Sequence, residues 1–159
     1  MIKTITDIEF FPEVAIVTLN NIPNTPSSIA NILSVIAENG ISIDMISQTE
    51  PYKDKINLSF TLSQDDLSEV IGLTGKFKSL APSIKADING NNTKILLSGD
   101  GMRSESGVAA ELFSLFAKEN IRVKLITTAE TEISCLIDIK DVEAVSYTHL
   151  RAHETLRHL

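Results

Sequence analysis

At 159 residues the chain is long enough for one ordinary domain or two small ones, and a hydrophobic content of 43% is enough to pack a core. A formal net charge of −7, with no cluster of Lys and Arg, argues against nucleic acid and against an anionic membrane as partners, because both demand many cations. The single cysteine, Cys135, excludes an intrachain disulfide, and its apolar neighbours predict a buried core thiol.

The first residues carry Asp7 and Glu9 and lack a long apolar core, so they do not read as a signal peptide. No apolar run approaches the roughly 18 residues a membrane span needs. Together these features predict a reducing, aqueous compartment, with the cytoplasm as the default.

Residues 2–9 alternate weakly and meet Phe10-Phe11-Pro12, where the proline should stop ladder pairing, so the pattern predicts a short strand separate from the next one. Residues 15–19 are β-branched and apolar and predict a second strand, closed by Asn20-Asn21-Ile22-Pro23-Asn24. Thr25 is then placed as an N-cap with Pro26 at the first helical position. Ile29, Ile32, Leu33 and Ile36 fall at i, i+3, i+4 and i+7, and Gly40 ends the helix. Residues 41–48 and 55–62 alternate apolar with polar and predict a hairpin with Pro51 in its turn. Ser63 caps a second helix whose core side includes Leu67, Val70 and Ile71, with Asp65 and Asp66 favourable near its positive end. Gly72-Leu73-Thr74-Gly75-Lys76 is too short for a nucleotide-binding loop and reads as a helix end. Residues 83–88 form another strand, and Asn89-Gly90-Asn91-Asn92 reads as a turn-forming connector. The order is β-α-β-β-α-β, a split βαβ unit.

From Lys94 the pattern starts again at a constant offset of 80 (110 − 30) that holds as far as Glu130. Ala30 meets Ala110, Ser34 meets Ser114, Ala37 meets Ala117, Ile41 meets Ile121 and Ile46 meets Ile126; the face Ile29/Ile32/Leu33/Ile36 returns as Ala109/Leu112/Phe113/Phe116. Strands are predicted over 122–128 and 132–138, with a helix starting at 140–145. The repeat then breaks off. Residues 146–159 hold all three histidines and two of the four arginines, and read as a non-native tail of the kind a vector junction leaves. His149 and His153 stand at i, i+4, which on a helix would offer two imidazoles to a metal, but no carboxylate–cysteine constellation supports such a site.

The run Gly99-Asp100-Gly101-Met102-Arg103-Ser104-Glu105-Ser106-Gly107-Val108 joins an apolar strand to an amphipathic helix. Ser104 or Ser106 is positioned to cap a helix beginning near Gly107, and unpaired amides at the positive end of the helix dipole suit a carboxylate or other small anion. No Gly-rich nucleotide loop with a partner lysine occurs, and no Ser-His-Asp or Cys-His set exists outside the tail. The chain is therefore expected not to be an enzyme by itself, with no cofactor and no metal.

Two tandem units containing Gly-Asp-Gly-Met-Arg-Ser-x-x-Gly-Val-Ala-Ala and Ile22-Pro23-Asn24-Thr25-Pro26 resemble the paired ACT domains of the regulatory C-terminal region of aspartate kinase (aspartokinase). Ile41-Ser42-Ile43-Asp44-Met45-Ile46-Ser47-Gln48 is similar to that family's Ile-Asn-Ile-Asp-Met-Ile-x-Gln strand, and Ser134-Cys135-Leu136-Ile137 to the strand after its Ser-Glu pair, here Ala129-Glu130. The likeness covers about residues 2–145. It implies an α+β fold of two ferredoxin-like βαββαβ domains packed together: residues 13–89 as the first, and 2–10 plus 93–145 as the second, whose sheet the N-terminal strand completes.

What the resemblance implies for function is feedback control of the aspartate pathway, through free threonine or lysine bound at interfaces between ACT domains. The partners are then the effector, the aspartate kinase catalytic domain or subunit, which this sequence lacks, and a second copy of the chain. By position the first effector site would use Asn24, Ser27, Ile29, Ile41, Ser42 and Gln48, and the second Met102, Ser104, Gly107, Val108, Thr127, Thr128 and Glu130. The bland alternatives are that Asn24 only caps, Ile29 and Ile41 only pack, and Glu130 only faces solvent. Where the family has Asp-x-Pro-Gly, the first unit has Asn24-Thr25-Pro26-Ser27; the second keeps Gly107 but has Ser106 in the proline position. The competing expectation is a ligand-free ACT module that serves only dimerisation or interaction.

Overall fold

The computed structural model describes residues 5–104 and 106–145. Its elements are β1 (Asp7–Pro23), α1 (Pro26–Glu38), β2 (Ile46–Gln48), β3 (Lys55–Ser63), α2 (Leu67–Leu80), β4 (Lys85–Ser98), α3 (Val108–Lys118), β5 (Val123–Thr128) and β6 (Glu132–Asp138). Residues 142–145 are again helical. The chain divides into two compact units, one from Glu13 to Asn91, the other made of the chain up to Pro12 and from Asn92 onward. Among the described residues no helix is long and apolar enough to cross a membrane.

In the unit from Glu13 to Asn91 the strand order is β2-β3-β1-β4. Antiparallel pairing sets Val14 against Ser63 and Leu19 against Leu58, and a bulge between Leu19 and Ile22 precedes the last pairs. Asn21 makes the bulge with a positive φ of 61°; its amide donates to Asn57 Oδ1 at 3.1 Å, and its carbonyl accepts from Ser83 Oγ at 2.8 Å. Alternation along β3 sends Ile56, Leu58, Phe60 and Leu62 inward, where they meet Ile32 and Ile36 of α1 and Val70, Leu73 and Phe77 of α2. Truncating a fully buried Ile32 to Ala would cost about 2–5 kcal/mol.

The other unit repeats the plan. Its order is β1-β4-β6-β5, with Thr6 N donating to Ser98 O at 2.9 Å beside the first strand. Ile95 and Leu97 of β4, Ile133, Cys135 and Ile137 of β6, and Leu112 and Phe116 of α3 form its core. Burial pushes the Cys135 thiol up to about 12, so it is the neutral core group its neighbours predict. The two units are thus α+β and ferredoxin-like, each with a later strand inserted between two that follow one another in the chain, β3 between β1 and β2 and β6 between β4 and β5.

Several local expectations are corrected. Pro12 does not end a strand: β1 runs through it, and the chain adapts at Glu13 with a φ of 58°. Likewise Asn89-Gly90-Asn91-Asn92 is not a turn but the middle of β4, where the chain passes from one unit to the other, with Asn91 at φ 59°. Only Ile46–Gln48 of the 41–48 run is strand. Its hairpin turns at Lys53 and Asp54 (φ 50° and 61°) between the paired Tyr52 and Lys55, leaving Pro51 outside the turn. Two successive positive φ values are what a two-residue turn needs to match the strand twist. Ser63 caps a 3₁₀ turn, Gln64–Asp66, ahead of α2. Gly72 and Gly75 lie inside α2, and Ile71 is 52% exposed because the buried stripe is Val70, Leu73 and Phe77. The paired histidines His149 and His153 lie outside the described residues.

Candidate functional site

Both helix starts come after a strand in the same way, yet they are finished differently. In the unit from Glu13 to Asn91, β1 continues to Pro23 and the chain enters α1 through Asn24 and Thr25. Asn24 N donates to Asp54 O at 3.1 Å, tying the loop to the β2–β3 hairpin. Thr25 Oγ1 accepts from Ser28 N at 3.3 Å, lies 2.7 Å from Ser28 Oγ and is 3.3 Å from Ser27 Oγ. The hydroxyls therefore bond one another and one helical amide, Ser28 N, as the N-cap reading of Thr25 requires.

Ser27 and Asn24 are exposed there, and Ile29 is half-buried against the core. Gln48 pairs with Leu58, itself opposite Leu19, which places it toward the same end of the unit. Ile41 and Ser42 are elsewhere. They lie past the C-terminus of a helix of 13 residues, about 20 Å from its start. Ile41 is buried, with its amide bonded to Ile36 O at 3.3 Å, whereas Ser42 is exposed. A single copy of this unit does not gather the six residues predicted for the first site.

The second loop leaves β4 at Ser98, and Gly99 N donates to Thr131 O at 3.0 Å, which fixes the loop to the turn between β5 and β6. A 3₁₀ turn, Asp100–Arg103, comes next. Gly107 is the N-cap of α3 with φ 84°, a conformation that L side chains rarely adopt, and it has no side chain to offer the helix. Neither predicted serine is the cap: Ser104 Oγ instead donates to Gly101 O at 3.5 Å. Val108 begins the helix and is buried, while Met102 packs half-buried against the core of this unit.

Across the loop, Thr127 faces Ser134 and Thr128 faces Ile133 at the end of the hairpin. Glu130 lies in the turn beyond them, and its Oε2 is 3.2 Å from Arg103 Nη2. The structure thus brings a carboxylate, a guanidinium and a helix start to one end of a single unit. Such a set offers opposite poles to a small molecule that carries both signs of charge. Arg103 is the member that sequence reasoning misses. The signal was its place in the Gly-Met-Arg-Ser run, but only the Gly99–Thr131 bond reveals that Glu130 is folded back to meet it.

Residues 95–147 match the sequence family described as the ACT domain. The chain is 32% identical over 142 residues to an aspartokinase of Bacillus sp. strain MGA3, an alignment covering 87% of this chain and 34% of that protein. The chain spans about a third of the length of the curated relatives it matches. Among solved structures it is similar to the ligand-free regulatory subunit of aspartate kinase from Thermus thermophilus, with a TM-score of 0.80, 27% identity, and coverage of 89% of this chain and 93% of that one. It is also similar to a chain from a structure of aspartokinase alpha and beta subunits, with a TM-score of 0.83, 29% identity, and coverage of 94% and 99%. The fold is that of the regulatory region of aspartate kinases, two ferredoxin-like units of the ACT kind.

Proposed function

We propose that this chain is an amino-acid-sensing regulatory region of an aspartate kinase, giving feedback control of the aspartate pathway by binding free threonine and/or lysine. The observation that carries the reading is the second loop, where Glu130 and the start of α3 stand at one end of a unit tied together by the Gly99–Thr131 bond. An amino-acid effector needs amides for its carboxylate and an acid or carbonyl for its ammonium, and that loop supplies both. Met102, Ser104, Gly107, Val108, Thr127, Thr128 and Glu130 are the residues we assign to it.

For the first site, Asn24, Ser27, Ile29 and Gln48 lie toward one end of the unit and Ile41 and Ser42 at the other. We therefore assign this site to an interface between ACT domains, where one domain's helix start meets another's post-helix segment. Both sets of residues belong to the first domain, so that arrangement needs a second copy of it, and this is the reason we propose a homodimer. The domains we use are 13–89 and 2–10 plus 93–145. The partner that responds is an aspartate kinase catalytic domain or subunit, a role supported by the likeness to a chain of the alpha and beta subunits, and the compartment is the cytoplasm.

One observation favours a second reading at the first loop alone. Thr25, Ser27 and Ser28 satisfy one another at the start of α1, so this loop is built to stand without a ligand and to serve the dimer instead. Isothermal titration of the chain with threonine, lysine and methionine tests the main reading. Saturable heat with threonine or lysine is expected; its absence with all three, in a protein that light scattering shows to be a folded dimer, would leave only the ligand-free module.

A further inference from the structure

We propose that Arg103 is a specificity-determining residue of the second loop, which together with Glu130 makes it select α-amino acids in their zwitterionic form over amines and over carboxylic acids. The inference rests on the reading of that loop as an effector site. Arg103 Nη2 and Glu130 Oε2 are 3.2 Å apart, so the carboxylate assigned to the effector's ammonium already holds a cation. Any ammonium that Glu130 accepts must part this pair.

Parting it is cheap. The two side chains are 67% and 76% exposed, and ion pairs so open to water hold only weakly because both partners remain solvated. The fate of the two freed charges depends on the ligand. An amine alone takes Glu130 and leaves the guanidinium with water. A carboxylic acid alone takes Arg103 and leaves Glu130 with water. An α-amino acid carries both charges on one carbon and replaces one ionic contact by two.

The placement of the two residues sets the direction in which such a ligand lies. Arg103 closes the 3₁₀ turn Asp100–Arg103 ahead of α3, on the side of the loop where the helix dipole is also positive. Its planar fork fits a carboxylate through two parallel N–H donors. Glu130 belongs to the β5–β6 turn, which Gly99 N holds to the loop through Thr131 O at 3.0 Å. The effector's carboxylate is thus turned toward α3 and Arg103, and its ammonium toward the hairpin.

Calorimetric titration of the whole chain with threonine and lysine, each also as its methyl ester, tests this in the wild type, Arg103→Gln and Glu130→Gln. Esterification removes only the carboxylate charge. In the wild type it should weaken binding about ten-fold or more, the loss expected for one charge-assisted contact. In Arg103→Gln that penalty should shrink to the few-fold part left to the amides at the start of α3, whereas in Glu130→Gln acid and ester should both weaken with the penalty retained. An ester penalty as large in Arg103→Gln as in the wild type overturns the role of Arg103 while leaving the effector site standing. A wild type that binds neither amino acid overturns both.

Discussion

Gly40 and Asn120 stand at the same place in the repeat, just past the ends of α1 and α3, with φ of 71° and 56°. Their amides make the same bond, Gly40 N to Ala37 O at 3.0 Å and Asn120 N to Ala117 O at 3.1 Å, so the left-handed conformation is required by the helix exit in both units. A Cβ built on Gly40 meets nothing within 4 Å, which leaves backbone strain as the whole cost of a side chain there. Gly40→Ala should therefore destabilise by about 1 kcal/mol, and Gly40→Asn by clearly less, because asparagine tolerates this region and already occupies it at Asn120. Urea unfolding of the two variants checks the order; equal losses would mean that an unseen contact, not φ, decides. At the same scale Asp138 shows local electrostatics without a site. The backbone N–H of Lys140 holds its carboxylate below the usual range, helped by Lys124 at 3.4 Å. A depressed folded value contributes stability above the unfolded value, lost as pH falls through the folded one, so this cap weakens only in acid.

The hairpin from β2 to β3 shows what an element's sequence conceals. Pro51 is the conspicuous breaker, but the chain turns two residues later at Lys53 and Asp54, both at positive φ, because the Tyr52–Lys55 pair fixes a two-residue loop. Lys53 is poorly suited to that conformation and Asp54 tolerates it less well than glycine, so replacing Lys53-Asp54 by Asn-Gly should stabilise the protein by about 1 kcal/mol, read as a shift in the urea midpoint at constant slope. No gain would indicate that the Tyr52–Lys53 ring contact, 5.4 Å from ammonium to centroid, offsets the strain. Helix α1 was legible because its signals agree: Thr25 caps, Pro26 opens, Ile32 and Ile36 are buried. β1 and β4 were legible only in pieces, since Pro12 and Asn89–Asn92 are local break signals, whereas pairing along the whole strand is a tertiary gain that a single positive-φ residue is enough to accommodate. Gly72 and Gly75 misled for the same reason: about 1 kcal/mol each of lost helix propensity is outweighed by burying Val70, Leu73 and Phe77.

At the scale of the whole molecule the repeat was the most informative feature, because Ile32/Leu112, Ile36/Phe116 and Ile41/Ile121 are all buried in their own units, as an offset of 80 requires. The candidate site was less legible. The residues of the second loop are spread from Met102 to Glu130, and only hydrogen bonding across the loop brings their ends together; in the first unit, the same kind of reading joined residues that lie at opposite ends of α1. Ligand binding should therefore stabilise the chain through the second loop first. An effector that binds only the folded chain adds RT ln(1 + [L]/Kd), about 2.7 kcal/mol at a hundred-fold excess over Kd. For a chain of this length each kcal/mol moves the melting temperature by about 2–4 °C, so saturating threonine or lysine should raise it by roughly 5–10 °C. If the working site is the second loop, Glu130→Gln should abolish most of that rise and Ser27→Ala little of it, since Ser27 stands at the start of the self-capped α1. The reverse order would move the site to the first unit, and a melting temperature that none of the amino acids changes would remove the sensor reading from the molecule altogether.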